Sequence, residues 1–430
     1  MDFSKNAISQ ITSTNLNTSV KAFKSLIESD PKLYKLTTEM FTQTRPGDPT
    51  IPSNLATFIV QLNSLLRSAP VFSTQRWASS PLTRFIEPYI RTPSGYEFFL
   101  NAKVNNAFHD ILKDWGKFLC SPESAAILTS EPNGWFSPDA LANMRDFEKT
   151  FVCDSSKPHW GFNSWEEFFN RALRKGARPI AEPDNPSVVS AAVDGVTHEL
   201  ATNIKAKDEY WLKDQPYSLE DMLDGDPIAG QFVGGTVLQV YLEPTGYHRW
   251  HAPVSGIIVR TLEIPGVFCP AQRDSTSLDD WVSESQGYAV HTATRHLIFI
   301  ESEDKVLVCC LFAGILERGS CETTVLPGDY VEKGQELGMF HFGGSTHCLI
   351  FGPQVRVNWK DTEDMKVGQE ISRISLGKIS GVSEVAITLS QYGLKELITT
   401  ITQSASKSGC FTKSTFQKSQ AFWHMLVQEL

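Results

Sequence analysis

The chain has no run approaching about 18 consecutive apolar residues, so no transmembrane helix is expected. Its first twenty residues, MDFSKNAISQITSTNLNTSV, hold no apolar core of the kind that directs secretion. They also hold no arginine, which a mitochondrial presequence would carry. No long basic run offsets the net charge of −10, which argues against a nucleic-acid footprint. None of the eight cysteines forms a C-x-x-C pair. Cys309 and Cys310 lie inside the apolar run KVLVCCLF, where buried free thiols are expected. Such spacing supports neither a disulfide framework nor a structural zinc site. These absences predict a soluble, cytoplasmic protein without a metal.

What is present divides into two grammars. The first third reads helical. Phe23, Ile27, Leu33 and Leu36 recur among polar residues, with Pro31 interrupting any single helix there. Segments 56–69 and 104–119 carry apolar residues at three- and four-residue spacing. Segment 137–151 opens on Ser137 and Pro138, a cap and first-turn pair. Ser164-Trp165-Glu166-Glu167 is a capping box. It opens a helix W-E-E-F-F-N-R-A-L-R that is expected to stop at Gly176.

Beyond Asn185 short runs rich in Val, Ile, Leu and Phe predict strands. Segments 251–268 and 325–340 read as halves of one β unit. The second resembles the hairpin of lipoyl and biotinyl barrel-sandwich domains, without their lysine motif. The expected fold class is therefore α+β: a helical module over 1–160, then a β-rich catalytic core over 161–380 with barrel-sandwich-like hairpins. Residues 381–430 form a tail in which Leu394, Leu397, Ile398 and Ile401 have helical spacing. No function is read from that tail.

Three segments place reactive side chains at strand ends, where sites often sit. They are Asp194-Gly195, the run from Tyr247 to Pro253, and Gly343-Gly344-Ser345-Thr346. Asp, His and Ser are the parts of a nucleophile, base and orienter set. Each also has an ordinary reading. Asp194 could serve a turn, His248 and His251 could be structural, and Gly-Gly-Ser-Thr could be a tight turn. A metal at the two histidines lacks a completing carboxylate or thiolate.

Four motifs in register change that balance. They are F-F-N-R-A-L-R-K-G-A-R-P-I (168–180), S-A-A-V-D-G-V (190–196), Y-H-R-W-H-A-P-V-S-G (247–256) and G-G-S-T (343–346). Together they resemble the phosphatidylserine decarboxylase family, across roughly residues 160 to 380. That resemblance implies a proenzyme that cuts itself between Gly344 and Ser345 and turns Ser345 into a pyruvoyl group. It implies His248 as the base and Asp194 as its orienter. It gives His251, or His248 in a second role, the return of a proton to the substrate carbon. The pyruvoyl ketone would form a Schiff base with a substrate amine, without pyridoxal phosphate. The two cleavage fragments are expected to remain associated.

The likeness extends further, to soluble fungal tryptophan decarboxylases. It runs through FKSLIESDP (23–31), DWGKFL (114–119), GWFSPDAL (134–141), FVCDSSKPHWGFNSW (151–165), LERGSCE (316–322) and MFHFGGS (339–345). The expected substrate is a free amino acid, aromatic by this likeness and typified by L-tryptophan, with no nucleic-acid or membrane partner. A lipid-acting phosphatidylserine decarboxylase is the alternative. A non-catalytic scaffold is the third reading, opposed by the joint presence of Asp194, His248 and Ser345.

Overall fold

Pro31 separates the first two helices. In the computed structural model, α1 (Thr18–Ser29) ends at Asp30, whose carboxylate accepts from the N–H groups of Lys32 and Leu33 and caps α2 (Pro31–Gln43). The structure describes residues 16–44, 50–74, 80–207, 217–243, 245–267, 286–315, 321–341, 343–360 and 362–377. The tail expected over 381–430 lies outside them.

α3 (Leu55–Leu65), α4 (Pro81–Ile90), α5 (Pro93–Phe99) and α6 (Ala102–Leu119) come next. Their apolar faces meet in one core that includes Val20, Phe23, Phe58, Ile86, Phe98, Phe108 and Trp115. The single helix expected over 137–151 is instead two, α7 (Pro138–Asn143) and α8 (Phe147–Thr150). Asp146 between them has a φ of 55°, which no right-handed helix accommodates.

Ser164 caps α9 (Trp165–Phe169) through the Glu167 N–H, while the Glu167 carboxylate accepts from the Asn163 N–H. This helix stops well short of Gly176. Residues 171–174 run beside 150–152 instead, with Val152 N–H donating to Ala172 O and Arg174 N–H to Thr150 O, each at 2.8 Å. Arg171 accounts for the early stop. Its buried guanidinium is committed to the carbonyls of Thr245 and Gly246 on another segment.

Antiparallel sheets make up the rest. The strands are β1 (Val188–Ser190), β2 (Gly195–Thr202), β3 (Thr236–Leu242), β4 (Arg249–His251), β5 (Gly256–Ile264), β6 (Arg295–Ser302) and β7 (Leu307–Ile315). They continue with β8 (Cys321–Thr323), β9 (Tyr330–Val331), β10 (Glu336–Phe340), β11 (Gly344–Phe351), β12 (Val355–Trp359), β13 (Asp364–Met365) and β14 (Glu370–Leu376). Eight of them form an open sheet in the order β13-β2-β3-β11-β7-β6-β5-β9. Two three-stranded sheets, β1-β14-β12 and β4-β10-β8, accompany it.

The segments 251–268 and 325–340 do pair with each other, β4 with β10 and β5 with β9. Because β9 and β10 enter different sheets, 325–340 is not a hairpin ladder of its own. β11 alternates as a doubly buried strand must. Leu349 and Phe351 pack with Trp250 and Phe312, whereas Cys348 and Ile350 pack with Cys309 and Leu311. No helix among the described residues is long and apolar enough to cross a membrane.

Candidate active site

The site is assembled where two pairs of strands give way to loops. Ser345, the second residue of β11, lies opposite Leu242 of β3 on one side and Gly314 of β7 on the other. Five residues earlier, the Phe340 N–H donates to His248 O at 2.9 Å, extending the β4–β10 ladder. The Gly344–Ser345 bond therefore lies at the head of β11, beside the end of β3 at Leu242 and the end of β7 at Gly314 and Ile315. Gly343 has a φ of 136°, a conformation a side chain would resist. Ser345 is fully buried, and its Oγ has no hydrogen-bond partner among the described residues.

His248 is likewise fully buried, with its ring stacked on Phe169 at 3.9 Å between centroids. Phe169 ends α9, and the residues just beyond it grip the same region. Asn170 O accepts from Arg249 Nε and Nη2, at 2.9 and 2.7 Å. Arg171 Nη2 donates to Thr245 O and Gly246 O at 2.6 and 2.7 Å, and its guanidinium lies 4.4 Å over the Phe151 ring. Burial pushes Arg171 down to about 10, which leaves it charged at neutral pH. From inside α9, Glu166 reaches His341 Nδ1 at 2.7 Å, four residues before Ser345.

His251 has both ring nitrogens engaged. Nδ1 donates to Gly334 O at 2.7 Å, so Nε2 is the acceptor for the Tyr247 hydroxyl at 2.8 Å. Burial lowers the imidazole's pKa, against the opposing effects of the Gly334 hydrogen bond and the charges of Glu336 and Asp194. Burial likewise raises the Tyr247 hydroxyl. A neutral imidazole joined to a neutral phenol is the arrangement these shifts favour.

Asp194 stands at the start of β2, on the same end of the sheet as Ser345. The register shows this, because Val196 and Thr346 flank the same residue, Tyr241. The close approach of β3 requires Gly195, where a Cβ would meet Tyr241 O at 2.5 Å. Asp194 is buried. Its Oδ2 accepts from Arg178 Nη2 at 2.7 Å and its Oδ1 from the Val367 N–H at 2.8 Å. Its hydrogen bonds thus go to Arg178 and Val367, and its charge acts on His251 and Tyr247.

The structure therefore buries Asp194, His248, His251 and Ser345 at one end of the strand array. It joins His251 to Tyr247 and Asp194 to Arg178. Sequence reasoning does not single out Tyr247, Arg178, Phe169 or Arg171 as site residues. All four stand inside the motifs 168–180 and 247–256, but nothing local reveals their partners. Among the described residues, no three His, Cys, Asp or Glu side chains are grouped to hold a metal ion.

A family model described as phosphatidylserine decarboxylase matches residues 165–373, and a second with that description matches residues 17–144. The decarboxylase iboD of Amanita muscaria is 38% identical over 305 residues, covering 66% of this chain and 87% of that protein. The L-tryptophan decarboxylase of Psilocybe cubensis is 33% identical over 357 residues, covering 77% and 79% respectively. The phosphatidylserine decarboxylase proenzyme of Chlamydia trachomatis is 30% identical over 266 residues, covering 60% and 80%.

Proposed function

The chain belongs to the phosphatidylserine decarboxylase family and is a carboxy-lyase, and on that premise we propose that it cuts itself at Ser345 and decarboxylates a free aromatic amino acid such as L-tryptophan. The observation that carries the self-processing step is the Ser345 hydroxyl, buried without a partner among the described residues, two residues after Gly343 with its positive φ. Its Oγ adds to the Gly344 carbonyl carbon as the Gly344–Ser345 C–N bond breaks, giving an ester. Elimination leaves a carboxylate on Gly344 and dehydroalanine at 345. Water then releases ammonia and leaves a terminal ketone.

The position fits that product. A pyruvoyl group has no hydroxyl proton to satisfy, so the orphaned group of the precursor is consumed in making it. When formed, the ketone supplies an electron sink for a substrate amine, in the place pyridoxal phosphate takes elsewhere. His248 takes the serine proton as general base. Asp194, held by Arg178 and the Val367 N–H, is assigned as the orienter of that base. The linked Tyr247 and His251 hold the proton that returns to the substrate carbon.

Substrate class rests on breadth of likeness. The Psilocybe cubensis L-tryptophan decarboxylase matches across 77% of the chain, against 51% and 60% for the phosphatidylserine decarboxylase proenzymes of Schizosaccharomyces pombe and Chlamydia trachomatis. A cytoplasmic site of action goes with a free amino acid. The test is a gel and a mass spectrum of the purified protein, then carbon dioxide release from a panel of free amino acids and from phosphatidylserine vesicles. Two fragments are expected, the smaller one blocked by pyruvoyl, with release from an aromatic amino acid and no added pyridoxal phosphate. An intact active chain overturns the processing step. Faster turnover of phosphatidylserine than of every free amino acid overturns the substrate. Ser345→Ala should remain one inactive chain.

A further inference from the structure

Behind Ser345, on the face of β11 turned away from it, lies a buried polar network that the proposed chemistry does not use. The Tyr217 hydroxyl donates to Gln239 Oε1 at 2.7 Å. Gln239 Nε2 donates to Gln286 O at 3.0 Å and to Thr346 Oγ1 at 2.9 Å. Thr346 Oγ1 donates in turn to Val240 O at 3.0 Å. Tyr217, Gln239 and Thr346 are all buried. The amide of Gln239 has its oxygen and both hydrogens committed, so its orientation is fixed. Because Gln239 donates to Thr346, the threonine proton is directed at Val240 on β3.

The next residue repeats the device on the other side. His347 is buried, and its Nδ1 donates to Leu311 O of β7 at 3.0 Å. Its ring stacks on Phe312 at 4.6 Å. Burial pushes this imidazole down to about 4, which keeps it neutral. Adjacent residues of a strand point to opposite faces. Thr346 and His347 thus tie β11 by side chains to both neighbouring strands, one from each face.

Conversion of Ser345 changes what residue 345 has to hold on with. It keeps its carbonyl but loses its N–H, and it becomes the first residue of a chain. Chain ends fray unless tied down. We propose that Thr346 and His347, with Gln239 behind them, are positioning residues that fix the pyruvoyl-bearing chain end after cleavage. This rests on the self-processing reading above. It assigns these residues a job that begins only once the Gly344–Ser345 bond is gone.

The test uses Thr346→Val, which keeps the shape and removes the hydroxyl, with Thr346→Ser as the conservative rescue. Gln239→Leu removes the same restraint from one residue further back, and His347→Phe keeps the ring stack without the N–H. Cleavage of each variant is monitored on a gel. Hydrogen exchange of the 346–351 segment is measured in the processed protein and in the uncut Ser345→Ala background. Thr346→Val is expected to cleave fully. In the processed protein it should raise exchange across 346–351 by roughly tenfold, the equivalent of one hydrogen bond, with little change in the uncut background. kcat should fall by a similar factor with KM nearly unchanged, and Thr346→Ser should restore both. Unchanged exchange in the cleaved variants, or an equal rise in the uncut background, overturns the inference alone. A wild-type chain that never splits overturns the self-processing reading and this inference with it.

Discussion

Arg178 is the residue on which Asp194 depends most directly. The pair is 2.7 Å apart with little exposure on either side chain, and removing one partner of a buried pair strands the other's charge. Arg178→Met is expected to destabilise the uncut chain by about 3 kcal/mol in denaturant unfolding. It should also slow the appearance of fragments at least tenfold. Arg178→Lys should recover part of both, since an ammonium cannot reproduce the guanidinium fork. Tyr247 gives the opposite signature. Tyr247→Phe removes the hydroxyl that His251 Nε2 accepts from, and is expected to cleave normally while carbon dioxide release falls. His251→Ala should show the same separation on a gel and in a gas assay. His248→Ala should fail at cleavage itself, and normal cleavage in that variant would remove it from the base role.

At the scale of elements, the short helix α9 matters less for its own length than for the three residues at its C-terminal end. Phe169, Asn170 and Arg171 contact His248, Arg249 and the 245–246 carbonyls in direct succession. Arg171→Met should therefore reduce cleavage, read as the fraction of uncut chain on a gel, with the far-UV helix signal retained. The caps at Ser137 and Ser164 were legible because capping is a contest settled within three residues. Strands beyond Asn185 were legible from β-branched and apolar runs. The helix expected to Gly176 failed because Arg171 is claimed by carbonyls 74 and 75 residues away. The site residues themselves stood out through motif resemblance. The Asp194–Arg178 and Tyr247–His251 partnerships did not, because side-chain geometry across a sheet leaves no periodic trace.

For the molecule as a whole, the proposed cut lies at the head of a strand in the middle of the large sheet. β11 lies between β3 and β7, while β13 pairs with β2 and β14 with β1. Every one of these partners belongs to the fragment before Ser345. The two fragments are therefore expected to co-elute from a sizing column and to separate only in denaturant. Buried histidines set the pH response of the same body. His291 and His347 are each held by burial at about 4, against about 6.5 in an unfolded chain. Between those values the unfolded chain binds more protons, so stability is full above about 6.5 and falls as the pH drops towards 4. Urea unfolding of uncut Ser345→Ala protein at about pH 7.5 and pH 5 reads this slope, and His347→Phe should flatten it. The central place of β11 also imposes an order of events. The hydroxyl meets its carbonyl in the required geometry only after strands from distant parts of the chain have closed around it. If the chain processes itself as proposed, a misassembled copy does not arm itself, and the appearance of the reactive ketone acts as a certificate that assembly was completed correctly.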